Sequence, residues 1–119
     1  VYNFVFSEVL TERIAIEFQR KNVAFEKKRM FGGIAFMVND KMCVGVNNDA
    51  MMVRLDPEIY EECLKKKGVR EMDFTKRPMK GFVYVEETGL ETDDDLGTWI
   101  QHALDYNPKA KSSKKRKKE

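Results

Sequence analysis

Few residues of this 119-residue sequence are of types that do chemistry, and their spacing keeps them apart. A serine or cysteine nucleophile needs a base beside it, most often histidine. The only histidine is His102, on a predicted helix where flanking positions face solvent. Ser7 falls at a helix start, and Ser112 and Ser113 fall in a lysine-rich terminus, so no triad is predicted. Zinc asks for about four Cys, His or carboxylate ligands at tight spacing. Cys43 and Cys63 lie far apart in sequence and are expected to be small buried thiols of a reduced protein. The carboxylates run as Glu61-Glu62, Glu86-Glu87 and Asp93-Asp94-Asp95. Neighbours on a helix diverge by about 100° and do not converge on one proton or ion. Gly32-Gly33 and Gly81 belong to no phosphate-binding framework and are expected to serve the backbone instead. No catalytic residue, no metal ligand and no cofactor is therefore expected.

Two other sets of side chains can bind rather than react. From Pro108 onward, Lys109, Lys111, Lys114, Lys115, Arg116, Lys117 and Lys118 stand against one acid, whereas the first 107 residues hold 15 bases and 19 acids. The net charge of +2 therefore hides an acidic body with a basic tail. Such a run either solubilises the chain or contacts nucleic acid without sequence preference. The seven methionines fall mostly in the middle of the chain, where they are core filler or a soft surface for a protein partner.

Three helices and a strand-rich middle must position these groups. Phe6, Val9, Leu10, Ile14 and Phe18 predict a helix over about residues 3–21, capped by Asn3 or Ser7 and stopped at Asn22, with Glu17 on its polar face. The period then becomes two. Ile34, Phe36 and Val38 form one row, Met42, Val44 and Val46 the next, and Met51, Val53 and Leu55 a third, joined at Asn39-Asp40 and Asn47-Asn48-Asp49. Turns this short require antiparallel neighbours. Asp56-Pro57 opens a second helix that ends before Gly68, residues 69–80 read as a loop with a short extended piece, and 81–85 as a strand. Thr92 caps a third helix carrying Leu96, Trp99, Ile100, Ala103 and Leu104. The expected fold is α+β: two layers, a mostly antiparallel sheet and three helices, over residues 1–107, with 108–119 a disordered tail. Met37 and Met52 point away from the helix-covered row, so the other sheet face is apolar too and is a candidate for self-association. No segment is long and apolar enough to span a membrane, and the first residues lack the marks of a signal peptide, so a cytoplasmic protein is expected.

Residues 26–38 (EKKRMFGGIAFMV), 51–55 (MMVRL) and 72–83 (MDFTKRPMKGFV), followed by the Trp99 helix, closely resemble the TfoX/Sxy N-terminal domain family. The resemblance implies a secretion-chaperone-like two-layer α+β fold and a stand-alone form of a domain found in bacterial competence regulators. It implies no activity, and the methyltransferase labels of some relatives find no cofactor loop here. The motif positions Met30, Phe31, Gly32, Gly33, Arg54, Arg77, Pro78, Met79, Lys80 and Gly81 become the candidates for an interaction surface. Arg54, between Val53 and Leu55, either joins Arg77 and Lys80 in a small cationic spot or fastens a loop through Glu26 or Asp73; fastening is the expectation. The function expected is a non-catalytic regulatory domain acting through protein contacts, as a homodimer or with another protein. The alternative is a nucleic-acid-associated protein anchored by its tail.

Overall fold

The computed structural model describes residues 7–30, 32–74 and 77–110. Helix α1 runs Glu8–Arg20, and Ser7 caps it by accepting from the Leu10 N–H at 3.1 Å. Asn3 and Phe6 lie outside the described residues. The helix ends as expected at Asn22, whose φ of 63° reverses the chain while the Val23 N–H returns to the Phe18 carbonyl. Its apolar stripe is narrower than expected. Leu10, Ile14 and Phe18 are buried, but Val9, about 100° around the helix, is 73% exposed. Glu17, expected outside, is buried where α1 meets Gly97; a Cβ at Gly97 would come within 3.0 Å of its carboxylate.

Strands β1 (Glu26–Met30), β2 (Gly33–Val38), β3 (Lys41–Asn47) and β4 (Ala50–Arg54) form the expected antiparallel meander. Asn39 and Asp40, with φ of 55° and 64°, make the two-residue turn that keeps the strands' right-handed twist. Helix α2 (Pro57–Leu64) starts at Asp56, which accepts from the Glu58 N–H at 2.9 Å. The segment expected to be largely loop is instead strand β5 (Val69–Phe74), and β6 (Arg77–Val85) begins well before Gly81. Helix α3 (Asp93–Tyr106) opens with a reciprocal cap: Thr92 accepts from the Asp95 N–H at 3.0 Å and donates its own N–H to the Asp95 carboxylate at 3.3 Å.

The sheet order is β1-β2-β3-β4-β6-β5, antiparallel throughout. After β4 the chain crosses by α2 to the far edge and returns inward, which leaves β1 and β5 as the two edges. All three helices lie on one face. Leu10, Ile14 and Phe18 of α1, Tyr60 and Cys63 of α2, and Leu96, Trp99, Ile100 and Ala103 of α3 pack with Phe36, Val44, Val46, Met51, Val53, Val83 and Val85 in one core. Phe18 and Phe36 meet half-buried Phe25 on the β1 side of this core, with ring centroids 5.1 to 5.6 Å apart, adding about 1 kcal/mol per pair beyond the area they bury.

One expected row does not hold. Alternation groups Met42 with Val44 and Val46, yet Met42 faces the opposite side of the sheet. Phe36 pairs with Val44 while Met37 pairs with Met42, so Cys43 is an extra residue in β3. This bulge puts Cys43 into the helix-side core and Met42 among the methionines of the other face.

Candidate functional site

The sheet face turned away from the helices is built from alternation alone. Across an antiparallel pair, directly opposed residues share a face, so Ala35, Met37, Met42, Met52 and Met72 gather there as a second buried cluster. Among the described residues no helical one belongs to it. Longer neighbours close over it: Met30, Phe82 and Tyr84 are half-buried against the cluster. Two cross-strand pairs add charge. Arg54 lies opposite Phe82 with its guanidinium 5.3 Å from the ring centroid, and Arg70 lies opposite Tyr84 at 4.4 Å. Arg70 is held further by the Glu86 carboxylate. The result is a soft sulfur-rich floor with two guanidinium–aromatic pairs standing on it.

Arg54 fastens within the sheet, and Glu26 is not its partner. Its Nη1 donates to the Met42 carbonyl at 3.4 Å, bracing β4 to β3 beside the bulge. Glu26 sits three strand spacings away, about 14 Å; for Asp73 the structure describes the backbone, paired with Pro78. Burial lowers the guanidinium pKa, opposed by Tyr106 and Cys43 nearby.

The motif residues fall into two groups that the fold separates. Met30, Gly32 and Gly33 close the β1–β2 hairpin, level with Val46 of β3. Arg54, Lys80 and Gly81 lie at the other end of the sheet, level with Met42. The length of β2, about 17 Å, lies between them. Gly33 is fixed by proximity, since a Cβ there would stand 2.0 Å from the Val46 carbonyl oxygen. Gly81 has a φ of +90°, and its carbonyl accepts the Leu55 N–H at 2.6 Å. Lys80 is exposed. For Arg77, Pro78 and Met79 the structure describes the backbone, paired with β5, and Phe31 lies outside the described residues.

The basic segment begins differently from expectation. The fold continues through a short 3-10 turn (Asn107–Lys109) to Ala110, which is buried. Asn107 is buried too and donates to the Val38 carbonyl at 3.2 Å, while Lys41 holds the Asn107 and Pro108 carbonyls. Lys109 pairs with Asp56 at 3.2 Å; the Glu58 N–H, and then Lys109, lower the Asp56 pKa, and Asp56 raises that of Lys109. Lys111, Lys114, Lys115, Arg116, Lys117 and Lys118 lie outside the described residues.

The groups that could have reacted are placed for packing. Burial pushes the Cys43 thiol up to about 12, against a smaller opposing pull from Arg54, and raises Cys63 as well. Both shifts disfavour the thiolate, the nucleophilic form. His102 is half-buried rather than on the open helix surface; its ring meets Trp99 edge-on at 5.7 Å, and its Nε2 is enclosed with no hydrogen-bond partner among the described residues. Burial, then Lys66, holds its pKa below the ordinary value, with Asp105 pulling the other way. Among the described residues no group of three or more His, Cys, Asp and Glu could hold a metal, and no helix is long and apolar enough to cross a membrane.

Reading the sequence missed Phe82, Tyr84 and Arg70 as members of this face. The signal was present in Arg70 and Arg54 each registering opposite an aromatic, but it depends on β5 being a strand.

Three helices on one face of a six-stranded antiparallel sheet, with a methionine floor on the other, define a two-layer α+β domain. The chain belongs to the TfoX N-terminal domain family, whose model matches residues 20–106. It is thus a domain like that of the competence regulators for which the family is named. No curated protein matches it.

Proposed function

We propose that this is a non-catalytic regulatory domain of the cytoplasm that acts through protein contacts made on the sheet face opposite the helices. The observation that carries this is the face itself: Met37, Met42, Met52 and Met72 clustered with no helix upon them, roofed by Phe82, Tyr84 and two guanidiniums. Methionine repacks around varied shapes at little cost, and aromatic and arginine side chains supply the anchors that contact surfaces favour. Arg54, Lys80 and Gly81, with the backbone of Arg77 to Met79, form one border of this surface; Met30 and the Gly32-Gly33 turn form the other.

The test is capture of partners from the native cell with the full chain as bait, alongside Tyr84→Ser and, on the opposite side, Glu62→Lys. The expected result is a specific protein lost with Tyr84→Ser and kept with Glu62→Lys. Absence of any specific protein, or equal retention by both variants, overturns the reading. Sedimentation of the bait alone decides whether the partner is a second copy; a monomeric mass at tens of micromolar rules that out.

The charge distribution favours a second reading, a nucleic-acid-associated role anchored by Lys111 to Lys118. It predicts binding that depends on the tail and not on the sheet face.

A further inference from the structure

Among the described residues strand β1 is an edge of the sheet, hydrogen-bonded to β2 alone. Alternate residues of an edge strand present both N–H and C=O outward, a template for one more strand. Its sequence is Glu-Lys-Lys-Arg-Met, and Glu26, Lys27, Lys28 and Arg29 are exposed. Lys27 and Lys28 enter no ion pair or hydrogen bond among the described residues. The charge is local: β1 holds three bases and one acid, whereas the rest of residues 1–107 hold 12 bases and 18 acids. By register Glu26 and Lys28 lie on the methionine face, opposite Met37 and Ala35, and Lys27 lies on the helix face opposite Phe36. At the head of the strand a depression of about 300 Å³ is lined by Phe25 and Met37 with Ala24, Glu26, Asn39 and Asp40.

From this juxtaposition we infer that β1 accepts an extended acidic peptide of a partner protein as a seventh strand, its carboxylates facing Lys27 and Lys28 and an apolar side chain seated against Phe25 and Met37. The inference rests on the protein-contact reading above and supplies the partner's chemistry, because a strand added at β1 widens the methionine face by one row. Backbone pairing gives such a mode its affinity, and alternate side chains give it selectivity. Lysines on an edge deter self-pairing. Here, too, an antiparallel pair of two β1 strands centred on Lys28 would set lysine against lysine, which is repulsive. The same charges admit an acidic strand, so the edge is selective rather than closed.

The experiment uses the full chain and a labelled eight-residue peptide of glutamate pairs alternating with valine pairs, whose adjacent glutamates face the two sides of an added strand, with a lysine–valine peptide of the same pattern as control. Fluorescence anisotropy is expected to show saturable binding of the acidic peptide only. Binding should weaken about tenfold in Lys27→Glu/Lys28→Glu, two exposed changes that leave the fold intact, and should weaken with salt. Amide exchange should slow at residues 26–30 and not along β5. No saturable binding of the acidic peptide, equal binding by the charge-reversed chain, equal binding of the basic peptide, or protection at β5 each overturns the site. So does a dimer of the chain that the peptide leaves intact. If a cellular partner is still retained by Lys27→Glu/Lys28→Glu, the β1 site fails while the protein-contact role stands; if no partner is retained by the unaltered chain, the role itself fails.

Discussion

Adjacent glycines in the β1–β2 turn do different jobs, and the difference is measurable. Gly32 holds a φ of +75°, and a Cβ there would find its nearest non-neighbouring atom 3.4 Å away, so Gly32→Ala meets backbone strain but no obstruction. That costs about 1–2 kcal/mol. Gly33 has an ordinary φ but lies against β3, and Gly33→Ala would drive a methyl into the Val46 carbonyl 2.0 Å away. Relief requires β2 and β3 to part, so the cost should reach about 3 kcal/mol, the upper range for overpacking. Urea denaturation of both variants checks the order; equal losses would show that the hairpin yields at Gly33. His102 makes a prediction about pH. Its pKa is lowered in the fold by burial and by Lys66, so the unfolded chain takes up the proton first as pH falls below about 6.5. More protons bound to the unfolded state means stability that rises with pH, so histidine weakens the fold below that value and not above it. The groups facing it are Lys66, Trp99 and Asp105. Replacing it in His102→Leu should shrink the fall in Tm between pH 7.5 and pH 5.5, and an unchanged fall would mean the ring titrates as if exposed.

At the scale of elements, the helices were the more legible part because their ends carry explicit signals. Asp56-Pro57, Thr92 and Asn22 each act where the sequence placed them. Thr92 and Asp95 satisfy one another's backbone, so Thr92→Ala should cost about 1 kcal/mol and be read as a lowered urea midpoint at constant slope. A loss below a few tenths would mean that packing of Trp99 and Ile100 alone holds the first turn of α3. The first four strands were legible too, through alternation and the Asn39-Asp40 turn. What failed was the phase within them. A bulge has no sequence signature of its own, and Cys43 is apolar enough to sit on either face, so nothing in Lys41–Asn47 shows that Met42 has changed sides. Strand β5 and the first half of β6 were hidden for another reason. Charged positions dilute the pattern of the edge strand β5, and Pro78 and then Gly81, with its positive φ, interrupt β6 before its apolar half. Because β5 was not legible, neither were the Arg70–Tyr84 pair and the aromatic roof of the methionine face, although the methionines themselves were. Val9 and Glu17 show the same limit in α1, where the helical period gives the stripe but not its edges.

Over the whole molecule, charge divides the chain into two unlike parts at Ala110. Residues 1–110 hold 16 bases and 19 acids, and one of those bases, Lys109, is already paired with Asp56. The remaining residues hold six bases and one acid. A duplex is a dense line of negative charge, and an acidic body is repelled by it, so any affinity for DNA must come from 111–119. Six cations can neutralise at most about six phosphates, giving a decline of log K with log salt no steeper than about −5. Binding of the full chain to a duplex of arbitrary sequence should therefore be weak at physiological salt, stronger at low salt, indifferent to sequence and absent after removal of 111–119. The same truncation should leave the folded body's Tm nearly unchanged, since Asn107 and Lys109, which tie the end of α3 to β2 and α2, remain. Anisotropy titrations at several salt concentrations provide the check. Binding that survives the truncation, or that prefers one sequence, would place the nucleic-acid contact on the folded body, against its net charge. Binding that vanishes with the tail while a protein partner is still captured would assign the two activities to separate parts of the chain: the sheet to the partner and the lysines to the polyanion.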